Sequence, residues 1–258
     1  MNISLLKTLG ASVDPEKLNS QISFDEFEKP VNLLLDNCHC IKNVRNAFSD
    51  LGVLYDGDGG KIEWRFIVEL FTIQNKSTFH FANKITADTI FWQNNKMKVK
   101  LAVHVFSRST ASALDFCRED LNLPQFKESE ATSKFLRMFD ELFDLLNSKS
   151  KFGIWAKAPI SKNNLGYWQD TFITAKTYIL GLKDSTGKCL INGRRKSGFL
   201  GFLLNMQAVK SIFKHFVDNG PLNYLLTFKL SQDHLETFFG CIRARLGSNN
   251  NPTVLQEC

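Results

Sequence analysis

Two acids stand where a folded chain would present a carboxylate. Asp36 closes the apolar run VNLLLD, and Glu236 falls in the first turns of the last helix-forming segment, SQDHLETFFGCIRARLG. Carboxylates that hold Mg²⁺ for phosphoryl transfer must come from rigid elements and converge within a few ångströms, because the ion takes octahedral oxygen ligands and keeps several waters. An acid at a strand end or a helix N-terminus serves equally well as a cap that complements the helix dipole, and spacing leaves both readings open. Other chemistries lack their motifs. The chain has no G-x-x-x-x-G-K-[ST], no G-x-G-x-x-G and no nucleophile elbow, which argues against a Walker-type ATPase, a Rossmann dehydrogenase and a serine hydrolase. Cys38-His39-Cys40 groups potential metal ligands but lacks the second half of a zinc site. His104 and His215 sit in apolar helical contexts and read as core histidines.

These acids need a scaffold, and the composition supplies one. With 43% hydrophobic residues and 23 Phe in 258 positions, the chain can bury a large core, and Phe at helical spacing points to helix-on-helix packing. The formal charge of +6 favours a polyanionic partner, with local clusters at Lys98, Lys100, Arg194, Arg195, Lys196, Arg243 and Arg245. The six Cys are expected to be reduced thiols, and no stretch is apolar for long enough to cross a bilayer, so an intracellular location is expected, with no membrane partner.

VNLLLD reads as a strand over 31–36 buried on both faces, and Ile41, Val44 and Phe48 continue it as a helix, which puts Asp36 at a strand-to-helix junction. DGDGG, residues 56–60, reads as a boundary. Helices are expected over 61–75, 85–92, 97–119, 130–147 and 168–182, with Phe135, Met138, Phe139, Leu142, Phe143 and Leu146 on one stripe. DSTGKCLINGRRKSG is a basic loop or hairpin. A long helix through Phe199 and Phe216 stops at Asn219-Gly220-Pro221, and the last helix buries Leu235, Phe238, Phe239, Ile242 and Leu246.

Five blocks carry a family resemblance: LLLDNCHCIKNVRNAFSD, NKITADTIFWQNNKMKVKLAVHVFSRSTASAL, SKFLRMFDELFDLLNSKSKFG, KSGFLGFLLNMQAVKSIF and LTFKLSQDHLETFFGCIRARLGSNNNPT. In this order they resemble the carboxy-terminal part of P-element-type DNA transposases and their THAP-domain relatives. The resemblance implies an α+β, predominantly helical chain: a partial RNase H-like core interrupted by a mostly helical insertion that binds GTP. The implied division is 1–58 for the partial core, 59–220 for the insertion, and 221–258 for the closing helix and tail. By motif position Asp36 and Glu236 match catalytic Mg²⁺ ligands. Within the insertion, Phe143, Asp144 and Asn147 match the element that reads the guanine base; Lys84, Lys98, Val99, Ser107 and Asp233 match further nucleotide contacts.

The implied activity is metal-dependent DNA cleavage and strand transfer, with transposon ends and target DNA as partners, a homo-oligomer in the full-length family, and a nuclear location. The family's first catalytic Asp has no counterpart in this sequence, so the chain is expected to be a fragment without strand transfer of its own, or a domesticated remnant that acts as a nucleotide-, DNA- or protein-binding module.

Overall fold

The structure is a computed structural model that describes residues 8, 10–12, 14, 17–23, 30–76, 81 and 84–245; for Asp233, Glu236 and Arg245 it describes the backbone alone. Asp36 starts the first long helix, α1 (Asn37–Leu51), by accepting hydrogen bonds from the Cys38 and His39 N–H groups, and Gly52 ends it at φ 71°. The chain turns directly into β3 (Val53–Tyr55), which pairs antiparallel with β4 (Lys61–Glu63). DGDGG is the turn of this hairpin: Asp56 Oδ1 accepts from the N–H groups of Asp58 and Gly60, and Gly59 takes φ 84°. β6 (Lys183–Asp184) joins the other edge of β3, giving a three-stranded sheet in the order β4-β3-β6. Two small ribbons complete the strands, β1 (Gln21–Ile22) with β2 (Val31–Asn32), and β5 (Ile160–Ser161) with β7 (Tyr224–Leu225).

The helices are α2 (Arg65–Lys76), the single turn α3 (Ala87–Ile90), α4 (Val99–Val105), α5 (Arg108–Glu119), α6 (Glu130–Leu146), α7 (Leu165–Gly181), α8 (Ser197–Phe213) and α9 (Asp233–Arg245). The helix expected over 97–119 is two, because the Ser107 hydroxyl accepts from Thr110 N–H and starts α5 afresh. The helix expected over 61–75 begins four residues late, its first residues being drawn into β4. The basic segment 184–197 is a tight turn and a 3₁₀ turn leading from β6 to α8.

α8 is the axis of the core. Thirteen of its seventeen residues are buried, so it is apolar all round rather than striped and other helices must surround it. α1 comes closest. A methyl at Gly198 would stand 2.7 Å from the Cys40 carbonyl oxygen, so this crossing needs a residue without a side chain. Phe139 of α6 meets Phe199 and Phe202 of α8 with ring centroids 5.9 and 5.5 Å apart, and Phe135 meets Phe48 of α1 at 5.0 Å. One apolar cluster runs from Cys40 through these rings to Leu225, so neither 58/59 nor 220/221 is a break in packing.

Three expectations are corrected. The segment 31–36 is not a strand buried on both faces: only Val31 and Asn32 pair, and Val31 is 42% exposed. Beyond Leu33 a side chain replaces the neighbouring strand. Asn205 of α8, fully buried, accepts from Leu35 N–H at 2.7 Å and donates to the Leu35 carbonyl at 2.6 Å and to Asn37 Oδ1 at 2.7 Å. A carboxamide carries the same donor and acceptor as a peptide group, so one residue supplies what a ladder would. The second correction concerns α9, whose expected buried stripe is open: Leu235, Phe238 and Phe239 are 58%, 59% and 45% exposed, because no described element packs over that face. Leu246 lies outside the described residues. His215 is the third: it is exposed, on the π turn Lys214–Asp218 where α8 runs out to the surface.

Candidate functional site

Asp36 is a buried cap. Its Oδ1 accepts one backbone N–H, from Cys38 at 3.1 Å, and its Oδ2 accepts the His39 N–H at 3.0 Å and lies 2.5 Å from His39 Nδ1. The capping role that the sequence left open is therefore filled. The side chains of Asp233 and Glu236 lie outside the described residues, and so does the expected convergence of Glu236 on Asp36; the α9 backbone sets the two positions three residues apart, one helical turn. Among the described residues no three His, Cys, Asp or Glu side chains cluster as a metal site.

The nucleotide candidates are better assembled. Asp144 lies near the end of α6, half-buried, with Lys157 Nζ 3.7 Å from its Oδ2. Burial raises its pKa above the ordinary carboxylate value, and Lys157 opposes that rise. One helical turn earlier, Asp140 is pushed up to about 6 by burial and by the charge of Asp144, while the charge of Lys157 and the Arg108 backbone and charge pull it down. Arg108 follows Ser107 and its N–H meets Asp140, so the start of α5 turns the positive end of its helix toward that acid. Ser107 Oγ also donates to the His104 carbonyl at 3.0 Å, and the His104 ring meets the Lys84 backbone. Burial, then Lys100 and Lys84, holds His104 below its ordinary pKa and favours neutral imidazole. Thus Lys84, His104, Ser107, Arg108, Asp140, Asp144 and Lys157 form one connected neighbourhood.

The other candidates divide. Lys98, at the start of α4 beside Val99, is exposed and stands 3.9 Å from Asp88, a surface pair of little energetic weight. Phe143 is 7% exposed and packs in the core, and Asn147 is the C-cap of α6, its N–H bonded to the Asp144 carbonyl. Sequence reasoning missed Asp140, Arg108 and Lys157. Asp140 was legible, since an acid four residues before Asp144 must share its helical face. Lys157 was not, because a loop brings it back.

Asp140 gives a pH-dependent expectation. Its folded pKa is raised, so its contribution to stability is fully present below its ordinary value near 3.8 and lost as pH rises through about 6. Asp140→Asn, which mimics the protonated acid, should stabilise the chain by about 2 kcal/mol at neutral pH and by nothing at acid pH. Urea unfolding at the two pH values checks this; an equal effect at both would remove the carboxyl's titration as the cause.

Residues 38–159 match a family described as TNP-like, GTP-binding insertion domain, and residues 228–256 match TNP-like, RNase H C-terminal domain. The first match begins at residue 38, within α1. The chain is 31% identical over 257 residues to human DNA transposase THAP9, covering 98% of this chain and 28% of that protein. It is 31% identical over 224 residues to the Transposable element P transposase of Drosophila melanogaster, covering 86% of this chain and 28% of that protein. The chain thus spans less than a third of either relative. In the Drosophila P element transposase strand transfer complex, one chain superposes with a TM-score of 0.79 at 28% identity, over 99% of this chain and 55% of the other.

Proposed function

Because this chain belongs to the P-element-type transposase family, we propose that it binds guanine nucleotide through the neighbourhood around Asp144 and contributes Asp36 and Glu236 to a DNA-cleaving and DNA-joining active site. The observation that carries the nucleotide reading is the half-buried, partly desolvated carboxylate of Asp144, whose ion-pair partner is a lysine on a surface loop. Guanine offers such an acid two donors on one edge, the ring N–H and the exocyclic amino group, where adenine offers no matching ring N–H. Lys84, with the N-terminus of α5 behind Ser107, suits the phosphates. Lys98, Val99, Asn147 and Asp233 remain candidate contacts, and Phe143, buried in the core, precedes Asp144 on α6.

For the metal, the fit is one ligand deep in the described residues. Asp36 Oδ1 accepts a single N–H, which leaves a lone pair for a cation, and Glu236 would be its partner. Mg²⁺ held there would supply an activated oxygen nucleophile and neutralise the leaving group. The commitment of Asp36 to capping α1 favours a second reading, a nucleotide- and DNA-binding module without catalysis. The open apolar face of α9 supports a larger core completed by further chain or by another copy. Transposon ends and target DNA are the proposed partners, and a nuclear location follows from that substrate.

Calorimetric titration of the chain with GTP and with ATP tests the nucleotide reading. A preference for GTP of about a hundredfold is expected, since guanine's edge donates two charge-assisted hydrogen bonds to Asp144 that adenine does not match. Equal affinities would sink it.

A further inference from the structure

Between Asp144 and Asp170 the chain carries four lysines, at 149, 151, 157 and 162, and no acid. Within this stretch, the loop after α6 exposes three large apolar side chains in four residues: Phe152 at 80%, Ile154 at 72% and Trp155 at 75%. An indole and a phenyl ring turned out to water forgo the burial that such rings ordinarily gain, and packing among the described residues gives no reason for it.

The loop is also built to hold them there. Trp155 takes φ 53°, a left-handed conformation that bulky side chains rarely adopt and that costs about 1 kcal/mol or more. Gly153 makes room for that turn, since a Cβ there would overlap the Lys157 carbonyl. Four hydrogen bonds close the loop on itself: Phe152 N to Ser150 Oγ at 3.2 Å, Gly153 N to the Ser150 carbonyl at 3.1 Å, Lys157 N to the Ile154 carbonyl at 3.1 Å, and Ala158 N to the Trp155 carbonyl at 3.0 Å. Around the rings, Lys149 and Lys151 are exposed and form no ion pair among the described residues, and Lys151 Nζ lies 4.8 Å from the Phe152 ring centroid.

Flat aromatic faces beside cations without an ion-pair partner on a preformed loop match one ligand chemistry, bases that stack and phosphates that neutralise. We propose that residues 149–158 form a stacking platform for unpaired nucleotides of a DNA strand, with Phe152 and Trp155 against bases and Lys149 and Lys151 against phosphates. The choice of DNA as the polyanion rests on the reading above that this chain works on DNA; the platform itself requires neither the acids of the core nor the nucleotide at Asp144.

Trp155 provides its own probe. Of the four Trp, it alone is exposed, Trp64, Trp92 and Trp168 being 9%, 3% and 1% accessible. Intrinsic fluorescence of the full chain should be quenched on its red side by an oligothymidylate of about twelve nucleotides, the length scale of single-strand sites, and little by a duplex of the same length. Trp155→Ala and Phe152→Ala should each weaken oligothymidylate binding about tenfold, the size of one lost base stack, with duplex and GTP affinities and circular dichroism unchanged; Trp155→Phe should restore most of the binding. Quenching by GTP alone, or by phosphatidylserine vesicles in place of the oligonucleotide, would overturn the proposal, as would equal losses for duplex and single strand. A chain that binds duplex in a salt-dependent way but leaves Trp155 unquenched by oligothymidylate would retain the DNA reading and lose the platform.

Discussion

Replacing Asp144 by alanine is expected to lower GTP affinity about a hundredfold and to leave ATP affinity nearly unchanged. The variant removes two hydrogen bonds from a charged acceptor to guanine's edge, each worth about 1.5 kcal/mol or more, and a hundredfold is about 2.7 kcal/mol. Asp144→Asn should behave similarly, because its amide turns a donor toward donors. The carboxylate must be ionised to accept both bonds, and burial has raised its pKa. GTP affinity of the unaltered chain should therefore fall as pH drops through that raised value, and the fall should vanish in Asp144→Ala. Calorimetry at neutral and mildly acid pH, with circular dichroism to establish folding, reads all three effects. A variant that still prefers GTP by the original factor would remove Asp144 from base recognition.

Asn205→Leu is expected to destabilise the chain by about 3 kcal/mol, although leucine is the better residue for an apolar helix. The substitution strands the Leu35 N–H, the Leu35 carbonyl and Asn37 Oδ1, and each buried polar group left without a partner costs about 1–3 kcal/mol, less whatever water recovers. Asn37 would keep its bond to the Leu146 carbonyl at 2.6 Å, so the damage should stay at the approach to Asp36. Urea unfolding gives the magnitude. Hydrogen exchange gives the place: the Leu35 amide should exchange much faster and the first turn of α1 somewhat faster, while the α6 amides hold. Unchanged protection at Leu35 would mean that Asn205 does not anchor this segment.

Both sites show where sequence stops being readable. α6 was legible because Phe135, Phe139, Leu142 and Leu146 recur at the helical period and the helix buries that stripe. Asp36 was legible as a junction because an apolar run stops at an acid and helical spacing follows. The hairpin around DGDGG was not: three-residue strands are shorter than the pattern that would announce them, and turn residues read alike at a domain boundary and in a tight turn. Asn205 was invisible for the opposite reason, since a single polar residue within SGFLGFLLNMQAVKSIF looks like a blemish until its partners, some 170 residues earlier, are seen.

By itself the sequence determined the family, the helical character, the order of the blocks and the acids that could do chemistry, because these depend on residue identity and on spacing along a few turns. The tertiary structure decided which of those acids stand alone and which are met. It set Lys157 beside Asp144 and Arg108 beside Asp140, clamped Leu35 with Asn205, and left the faces of α9 and of Trp155 open to solvent. Each of these is a contact, or the lack of one, between segments distant in the chain. Burial and partner charge act through space, and no local period encodes which distant residue will supply them.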